Sequence, residues 1–563
     1  MQRLFSRLLD KNTVKVNPSV MNGLATLYMK KSEEYIYKVF LSASKSFPPG
    51  LTFIGFERCT PEEEYAEITK VKNNKRIFDL ARSDLYLVKY KFAYNGVPLP
   101  DRYIYLPYVN AGGILSLGGA QYHITPVLSD KVISPGFDSI FVRLLRDKII
   151  FKRCYHTLII DGTRETTHVI WSQIYRKPRE NKKVPITTRS LTSVAHYLFA
   201  KYGFTETFAK YAGFVPTVGT DDITVEKYPK DNWIICESAY EGSVMRPKTY
   251  IGEFYEPTKI KLAIPRDKWT PITKALVTGF YYVADHFPEI IRANYLDKKE
   301  EWMVLLGHIL FSGLYGKNKL YTNIQEHFVS LDDYVDTIVI EKLKENNHHI
   351  DNFYDLLSLI LSNFNTMVLD SENSTLSMYG KSLEVLYYVL YDITAGIFKV
   401  NFKLSKLVLK KPLNETDITE TFNKFMKMGA VFGLSSGKII TESVSYSGDH
   451  LYPKITSKIT EQESLPGGTR GKSKRLMVGE DKHVDISMVE AGSILFLSKS
   501  NPTPTNHINP FVILDLATGT ILPNPKFKNI REKTASLLKG KSVQQNAHMS
   551  SVLDDNDDIS QFE

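Results

Sequence analysis

The sequence predicts a multidomain α+β protein. Its 563 residues are enough for several domains with a sizeable buried core. Hydrophobic residues make up 43% and charged residues 24% of the chain, which is the balance of an ordinary folded protein rather than of a disordered one. Two patterns alternate along it. Short runs rich in β-branched and aromatic residues indicate strands, and longer apolar runs at three- and four-residue spacing indicate helices.

The first predicted domain, residues 1–150, is rich in strands. The runs 85–92 and 103–106 partly alternate between apolar and polar residues, as half-buried strands do. The glycine pair Gly118-Gly119 and the Ser-Pro-Gly sequence at 134–136 follow, and they predict turns between the strands.

The second predicted domain, residues 151–400, begins with further strands and carries a helical insert at about 270–400. Its strand-rich part contains a basic segment at 176–183, and Pro178 predicts an exposed loop there because proline interrupts a helix. In the insert, apolar residues recur at helical spacing and predict four helices, at 272–284, 301–314, 354–364 and 383–398.

Two further regions complete the chain. Residues 401–525 are predicted to return to strands and glycine turns. Residues 526–563 form a basic segment followed by a tail that contains Asp554, Asp555, Asp557 and Asp558. Because this tail has few apolar residues to bury, it is predicted to be disordered.

Several classes of protein are disfavoured by composition. The three cysteines are far apart and form no CxxC pair, so neither a zinc ribbon nor a disulfide framework is expected. The most apolar run, 303–314, is about half the 20 residues that a membrane span needs, so no membrane association is expected. The net charge of +9 permits a polyanionic partner without requiring one.

No catalytic residue and no metal ligand is predicted in this chain. Residues 433–437 fit GxSxG, but a strand-like sequence follows them, so a hairpin turn is the favoured interpretation over a nucleophile elbow. The sequence Gly471-Lys472-Ser473 matches the end of a P-loop, but Pro466 occupies the position of that motif's first glycine.

The segment 465–475, here called the basic loop, is the candidate binding site. Glycines let the backbone approach a ligand closely, and Arg and Lys supply charge-assisted donors to phosphate. The segment contains no carboxylate. We predict nucleic-acid contacts from four cations, Arg470, Lys472, Lys474 and Arg475, and a loop shaped by three glycines, Gly467, Gly468 and Gly471. The alternative is a solvated basic turn between two strands.

Three motifs in order carry a resemblance to a known family. The first is Gly-Ile-Leu-Ser-Leu-Gly-Gly-Ala-Gln-Tyr-His-Ile at 113–124, followed by Ile-Ser-Pro-Gly-Phe at 133–137. The second is Leu-Pro-Gly-Gly-Thr-Arg at 465–470. The third begins with Asp485 and runs to Ile494, and a Thr-Pro turn follows at 501–506. Together they resemble the β subunit of multisubunit DNA-dependent RNA polymerases. The pattern departs from that family at Ala120-Gln121, where an acidic-basic pair is usual, and the Thr-Pro turn lacks its Glu-Gly-Pro.

The resemblance implies a fold and a function. It implies a β-rich protrusion from 1–150 with 401–450, a partly helical lobe at 151–400, and a fork region at 450–525. The chain stops soon after the third motif, as expected of a β subunit split into separate chains, the kind found in large (jumbo) bacteriophages. The implied function is that of an N-terminal β-like subunit that holds DNA and RNA near the active centre and is inactive alone.

Partners follow from the same resemblance. A C-terminal β-like chain and β′-like chains would complete the polymerase, with DNA template and RNA product bound. No cofactor is expected on this chain, and catalytic Mg²⁺ is expected on a partner subunit. The chain would lie in the host-cell cytoplasm during infection or be packaged in the virion. The alternative is a non-enzymatic phage protein with a degraded β-like fold, either a virion structural protein or one that binds DNA or host polymerase.

Overall fold

The structure, a computed structural model, describes most of the chain up to residue 525. The described residues are 18–70, 74–110, 114–123, 126–136, 139–144, 148–176, 189–239, 244–245, 254–255, 258–287, 290–311, 315–332, 335, 337–345, 347–369, 377–408, 410–427, 430–431, 458–461, 487–491, 505–507 and 512–525.

Helices are spread along the whole described part of the chain. Those described are α1 Pro18–Ser44, α2 Pro61–Thr69, α3 Asn74–Ala81, α4 Val194–Tyr202, α5 Phe204–Tyr211, α6 Pro271–His286, α7 Lys299–Leu310, α8 Lys317–Asp332, α9 Thr337–Glu345, α10 Phe353–Val368, α11 Tyr387–Val408, α12 Glu415–Phe425 and α13 Ser487–Ala491. Two short 3₁₀ helices accompany them, Arg266–Lys268 and Ala293–Tyr295.

The strands fall mostly before residue 265. Those described are β1 Leu51–Arg58, β2 Leu85–Tyr94, β3 Val97–Pro98, β4 Arg102–Pro107, β5 Ile114–Leu117, β6 Ala120–His123, β7 Val127–Ser129, β8 Ile133–Pro135, β9 Ser139–Arg143, β10 Lys148–Ile160, β11 Thr163–Arg176, β12 Arg189–Ser193, β13 Thr217–Gly219, β14 Trp233–Ser238, β15 Val244–Met245, β16 Phe254–Tyr255, β17 Lys261–Pro265, β18 Ser382–Glu384, β19 Ala430–Val431, β20 Lys458–Glu461, β21 Thr505–His507, β22 Ile513–Leu514 and β23 Ile521–Leu522.

One hydrophobic core, here called the large core, is built from residues 132–364. Its sheet has the order β12-β11-β10-β14-β17-β13. β9 pairs with the first residues of β10, and β8 pairs with β9. Helices α4, α6, α7 and α10 pack with this sheet around Trp302 and Phe199, which are both fully buried. A β-carbon at Gly279 would lie 2.5 Å from that of Ala195, so glycine is what allows α6 to approach α4 so closely.

A second core, here called the split core, joins segments far apart in sequence, 28–115 and 386–426, with Ile338 between them. Its sheet has the order β1-β2-β4-β19, with β3 beside β2; the pairing is antiparallel except between β4 and β19. Helices α1, α11 and α12 contribute to this core, and Phe92 of β2 lies 4.8 Å from Phe422 of α12 between ring centroids. Burial of such aromatic pairs ties the beginning of the chain to the segment after residue 386.

The predicted α+β fold class is confirmed. The strands predicted at 85–92 and 103–106 are β2 and β4. The helices predicted at 272–284, 301–314 and 354–364 are α6, α7 and α10, with ends that differ by a few residues. The predicted domain boundaries are not tested by this arrangement and stay predictions.

Other local predictions were wrong. The helix predicted at 383–398 begins only at Tyr387, because β18 occupies Ser382–Glu384 and pairs with β7. The return to strands predicted from residue 401 is wrong at its start, because α11 continues to Val408 and α12 follows it. Ser134 and Pro135, predicted as a turn, lie in β8. The 27-residue helix Pro18–Ser44 was not predicted, although Tyr28, Ser32 and later buried positions follow helical spacing. Within the described residues, no helix is both long and apolar enough to cross a membrane.

Candidate functional site

The seven residues predicted to form the binding site, Gly467, Gly468, Arg470, Gly471, Lys472, Lys474 and Arg475, lie outside the described residues. So do the GxSxG sequence at 433–437 and most of the basic segment at 176–183, of which Arg176 ends β11. The structure does describe the chain on both sides of the basic loop, at β20 and at α13. These two elements show where the segment 462–486 is attached.

The chain enters this segment from the middle of a sheet, here called the anchor sheet, with the strand order β18-β7-β20-β21. β20 runs parallel to β7, with Thr460 opposite Val127 and Glu461 opposite Leu128. On its other side it runs antiparallel to β21, which ends at His507. β7 is fully buried, so the strand that precedes the basic loop is paired with a strand of the interior.

The chain leaves the segment at α13, which is also held close to the anchor sheet. The Ser487 hydroxyl accepts a hydrogen bond from the backbone N–H of Met378 at 2.8 Å. The Tyr379 hydroxyl donates to the carboxylate of Glu490. Ala491 is buried in a small hydrophobic cluster that also contains Leu128 and Leu383, from β7 and β18. Both ends of the segment that carries the basic loop are therefore attached to one structural unit.

The first of the three sequence motifs forms the hairpin of β5 and β6, and β7 and β8 follow it directly. Gly118 and Gly119 make its turn with φ angles of 59° and 87°, which favour glycine. The backbone N–H of Gly118 donates to the Ser83 hydroxyl at 2.8 Å, and that of Ser116 donates to the Asp84 carboxylate at 2.7 Å. The hairpin is thus held against the segment between α3 and β2.

The three motif-bearing regions meet at the anchor sheet. β7 follows the first motif, β20 precedes the second, and α13 and β21 belong to the region of the third. β7 lies more than three hundred residues before β20, α13 and β21 in the chain, so its pairing with β20 is a property of the fold rather than of local sequence. The elements next to the three motifs therefore lie together in space.

An ion-pair network joins the anchor sheet to the helices. Glu384 of β18 accepts from Arg143 of β9 and from Lys342 of α9, each at 2.5 Å. Burial would raise the pKa of Glu384, but the two cations hold that pKa well below its ordinary value. Lys381 of the same strand region pairs with Asp130 at 2.6 Å. The carboxylate therefore stays charged at neutral pH and connects β18 to the sheet of the large core.

A small cavity of about 70 Å³ lies beside this network, where α1, α9, α11 and β18 meet. Lys31, Tyr35, Leu390 and Thr518 are among its lining residues. Burial lowers the pKa of Lys31 from its ordinary value.

One buried pair has the chemistry of a general base but is not accessible to a substrate. The His156 ring nitrogen Nε2 lies 3.1 Å from the Asp285 carboxylate, and their side chains are 2% and 0% exposed. A substrate must reach a catalytic group to react with it, so this pair serves the packing of β10 against α6. In the described part of the chain, no three His, Cys, Asp or Glu side chains are grouped as metal ligands.

The comparison with known families decides the class of this protein. A family model described as "non-virion RNA polymerase subunit" matches residues 4–536. The chain belongs to this family. No curated protein matches the sequence.

Membership has direct consequences for the predictions. The protein is a subunit of a viral RNA polymerase and takes part in transcription, and other subunits of that polymerase are its partners. The description "non-virion" assigns its action to the infected host cell, so the predicted alternative of packaging in the virion is not supported.

Sequence reasoning missed two charged features that the fold assembles. The first is the network of Glu384, Arg143 and Lys342, for which no local pattern exists because its members lie on three separate elements. The second is a row of exposed lysines on α11 and just beyond it, Lys399, Lys403, Lys406 and Lys410. The sequence does contain a pattern that could have predicted this row, since residues 393 to 414 include five lysines and no Asp or Glu.

Proposed function

We propose that this protein is the N-terminal β-like subunit of a viral multisubunit DNA-dependent RNA polymerase whose β and β′ subunits are split into separate chains. In this proposal it holds DNA and RNA near the active centre through the basic loop. A C-terminal β-like chain and β′-like chains bind beside it. They supply the residues that contact the nucleotide and the carboxylates that hold Mg²⁺.

The observation that carries the proposal is the meeting of the three motif-bearing regions at the anchor sheet. Chance matches to short motifs would have no reason to lie together in space. Here the strand after the first motif pairs with the strand before the second, and the helix of the third packs on the same cluster. This supports the interpretation of the three matches as one site inherited from a β-like ancestor.

The anchoring also suits the proposed work of the loop. A segment whose two ends are fixed loses less conformational entropy when it binds a ligand than a free segment does. Four cations on such a segment would position phosphates of the nucleic acid through charge-assisted hydrogen bonds. Chemistry itself, nucleotidyl transfer assisted by two Mg²⁺ ions, would use carboxylates of a partner chain. The protein by itself is then inactive.

Affinity purification of the tagged protein from infected cells tests the proposal. The eluate is analysed by mass spectrometry and assayed for RNA synthesis in the presence of rifampicin. We expect stoichiometric viral chains, one of them carrying an Asp-x-Asp-x-Asp magnesium motif, together with rifampicin-resistant RNA synthesis. The same tagged protein expressed in uninfected cells is the control, and it should yield neither.

Other outcomes would overturn the proposal in distinguishable ways. Recovery with host polymerase subunits in both infected and uninfected cells would indicate a non-enzymatic protein that binds the host enzyme. Recovery with viral polymerase chains, one of which already contains the complete set of β-like motifs, would retain the family and refute the β-like assignment.

A further inference from the structure

The helix α11 has two faces of opposite character. Ile393, Ile397, Val400 and Leu404 are buried in the split core. The opposite side carries four exposed lysines, here called the lysine face, and they are Lys399, Lys403, Lys406 and, in the turn after the helix, Lys410. Their spacing of four, three and four residues aligns them along one side of a helix.

The lysine face lacks the carboxylates that neutralise other lysines of this protein. Lys38, Lys89 and Lys342 all form ion pairs with glutamates. Within the described residues, no ion pair joins any of the four lysines of the lysine face to an acidic residue. The neighbouring Lys411, by contrast, pairs with Asp417 of α12 at 2.8 Å.

The charged groups of α12, the helix that packs on α11, do not cancel the positive charge of the lysine face. Besides the partly buried Asp417, its acids Glu415 and Glu420 are exposed, and so are Lys424 and, just after the end of the helix, Lys427. The end of α12 lies beside the middle of α11, where Met426 Cγ would be 3.1 Å from a β-carbon at Gly396. Residues 411–427 carry three acids and three cations, so they leave the four lysines of the lysine face without net compensation from this segment.

An exposed aromatic ring sits within the row. Phe402 is 63% exposed, and the ammonium of Lys406 lies 4.2 Å from the centre of its ring. This cation–π contact favours one position of the Lys406 side chain over others. A partly ordered cation binds a phosphate at a lower entropic cost than a mobile one.

The geometry indicates a long, regular polyanion as the partner. Lys410 lies eleven positions after Lys399, so at a helical rise of about 1.5 Å per residue the row spans roughly 16 Å. Duplex DNA carries one charge for about each 1.7 Å of its axis, so the row faces more phosphates than it has lysines. A single strand is the weaker candidate, because such sites use grooves with several stacking aromatics and this row exposes one.

We propose that the lysine face of α11 binds the phosphate backbone of duplex DNA without reading its sequence. This surface is distinct from the basic loop, and the proposal does not depend on the β-like assignment. It rests on the lysine spacing, the lack of ion pairs and the family's role in RNA synthesis.

The test uses the assembled polymerase purified through this subunit. Its dissociation constant for a fluorescent 30-base-pair duplex is measured across a range of salt concentrations for wild type and for the variant Lys399→Gln, Lys403→Gln, Lys406→Gln and Lys410→Gln. Each phosphate contact contributes about 0.9 to the slope of log K against log salt. We expect the slope to fall by about 2 to 4 and the affinity at low salt to fall at least about tenfold.

A matched variant controls for net charge. Lys227, Lys259, Lys319 and Lys344 are also exposed but scattered over other elements, and their replacement by Gln should leave the slope within about 1 of wild type. Both variants should retain wild-type subunit recovery, and RNA synthesis on a short template should persist, which separates this test from that of the proposed function.

Two results would overturn the proposal. One is an unchanged slope in the lysine-face variant, whether or not the acidic residues 550–563 are also removed, since removal excludes masking by that tail. The other is a loss of affinity for single-stranded nucleic acid with the duplex unaffected, which would assign the surface to a different ligand.

Discussion

The basic loop and the lysine face each offer four cations to a polyanion, but they are built differently. In the basic loop the cations fall within six consecutive residues, 470–475, next to glycines. On the lysine face they are spread over residues 399–410 and align because the helix brings every third or fourth residue to the same side. Charge density marks the first region in the sequence, whereas helical spacing creates the second.

Their supports differ as well. The segment that carries the basic loop is attached at β20 and α13, so its position depends on the anchor sheet and on contacts between distant parts of the chain. The lysine face is supported by the buried side of its own helix. We therefore expect the loop to be sensitive to changes in the anchor sheet and the lysine face to be insensitive to them.

The largest effect is expected from reversing the charges of the basic loop. Replacing Arg470, Lys472, Lys474 and Arg475 by Glu turns favourable phosphate contacts into repulsive ones. RNA synthesis by the assembled polymerase should fall by about 100-fold or more, because the loop is proposed to act beside the site of chemistry. Initial rates on a defined template measure this.

The control for charge reversal places the same four changes at Lys227, Lys259, Lys319 and Lys344. It should reduce the rate less than about threefold, since scattered surface charges far from the nucleic acid act only through a screened field. Equal losses in the two variants would mean that net charge, and not the loop, limits RNA synthesis.

A smaller effect is expected at Glu384, and it should separate the two regions. Glu384→Ala removes the buried carboxylate that Arg143 and Lys342 share, which should lower the free energy of unfolding by about 3 kcal/mol, as measured with urea at pH 7. RNA synthesis should decline because the anchor sheet loosens. The salt dependence of duplex binding, by contrast, should stay that of the wild type.

The pH dependence of the stability difference between wild type and Glu384→Ala follows from the direction of the pKa shift of Glu384. The pKa of Glu384 is lower in the folded protein than its ordinary value of 4.5, so its contribution to stability is complete above that pH. It is lost as the pH falls below 4.5 toward the pKa of the folded state. The gap between wild type and Glu384→Ala should therefore narrow in acid, and a constant gap would contradict the charged network.

The smallest effect is expected at Phe402. Removing its ring by Phe402→Ala frees Lys406 from a contact worth about 0.5–1 kcal/mol, which corresponds to a roughly two- to fivefold weaker affinity for duplex DNA. The salt slope should not change, because the number of cations is the same. A change in slope would show that Phe402 positions more than one lysine.

The local pattern of the sequence was enough to predict several elements. β2 and β4 are rich in β-branched and aromatic residues, and α6, α7 and α10 repeat apolar residues at helical spacing, so their type could be assigned from neighbouring residues alone. The helix α1 was missed although Ile36 and Phe40 continue its buried spacing, because Ser32 and polar residues interrupt the apolar pattern.

The candidate site was harder to predict, for a physical reason. Glu384 is one acidic residue in an unremarkable sequence, and it acquires its role only when β9 and α9 bring Arg143 and Lys342 to it. The pairing of β7 with β20 likewise joins residues more than three hundred positions apart. Such contacts depend on tertiary structure, and no local pattern encodes them.

The most direct test of the proposed role is crosslinking from inside the two cationic regions. A photo-crosslinking amino acid replaces Thr469 in one protein and Phe402 in another, and each is assembled into polymerase engaged on DNA with a nascent RNA. We predict that position 469 crosslinks to nucleic acid close to the RNA 3′ end, and that position 402 crosslinks to duplex DNA. Crosslinks from position 469 to protein alone, in an enzyme that is making RNA, would contradict the account.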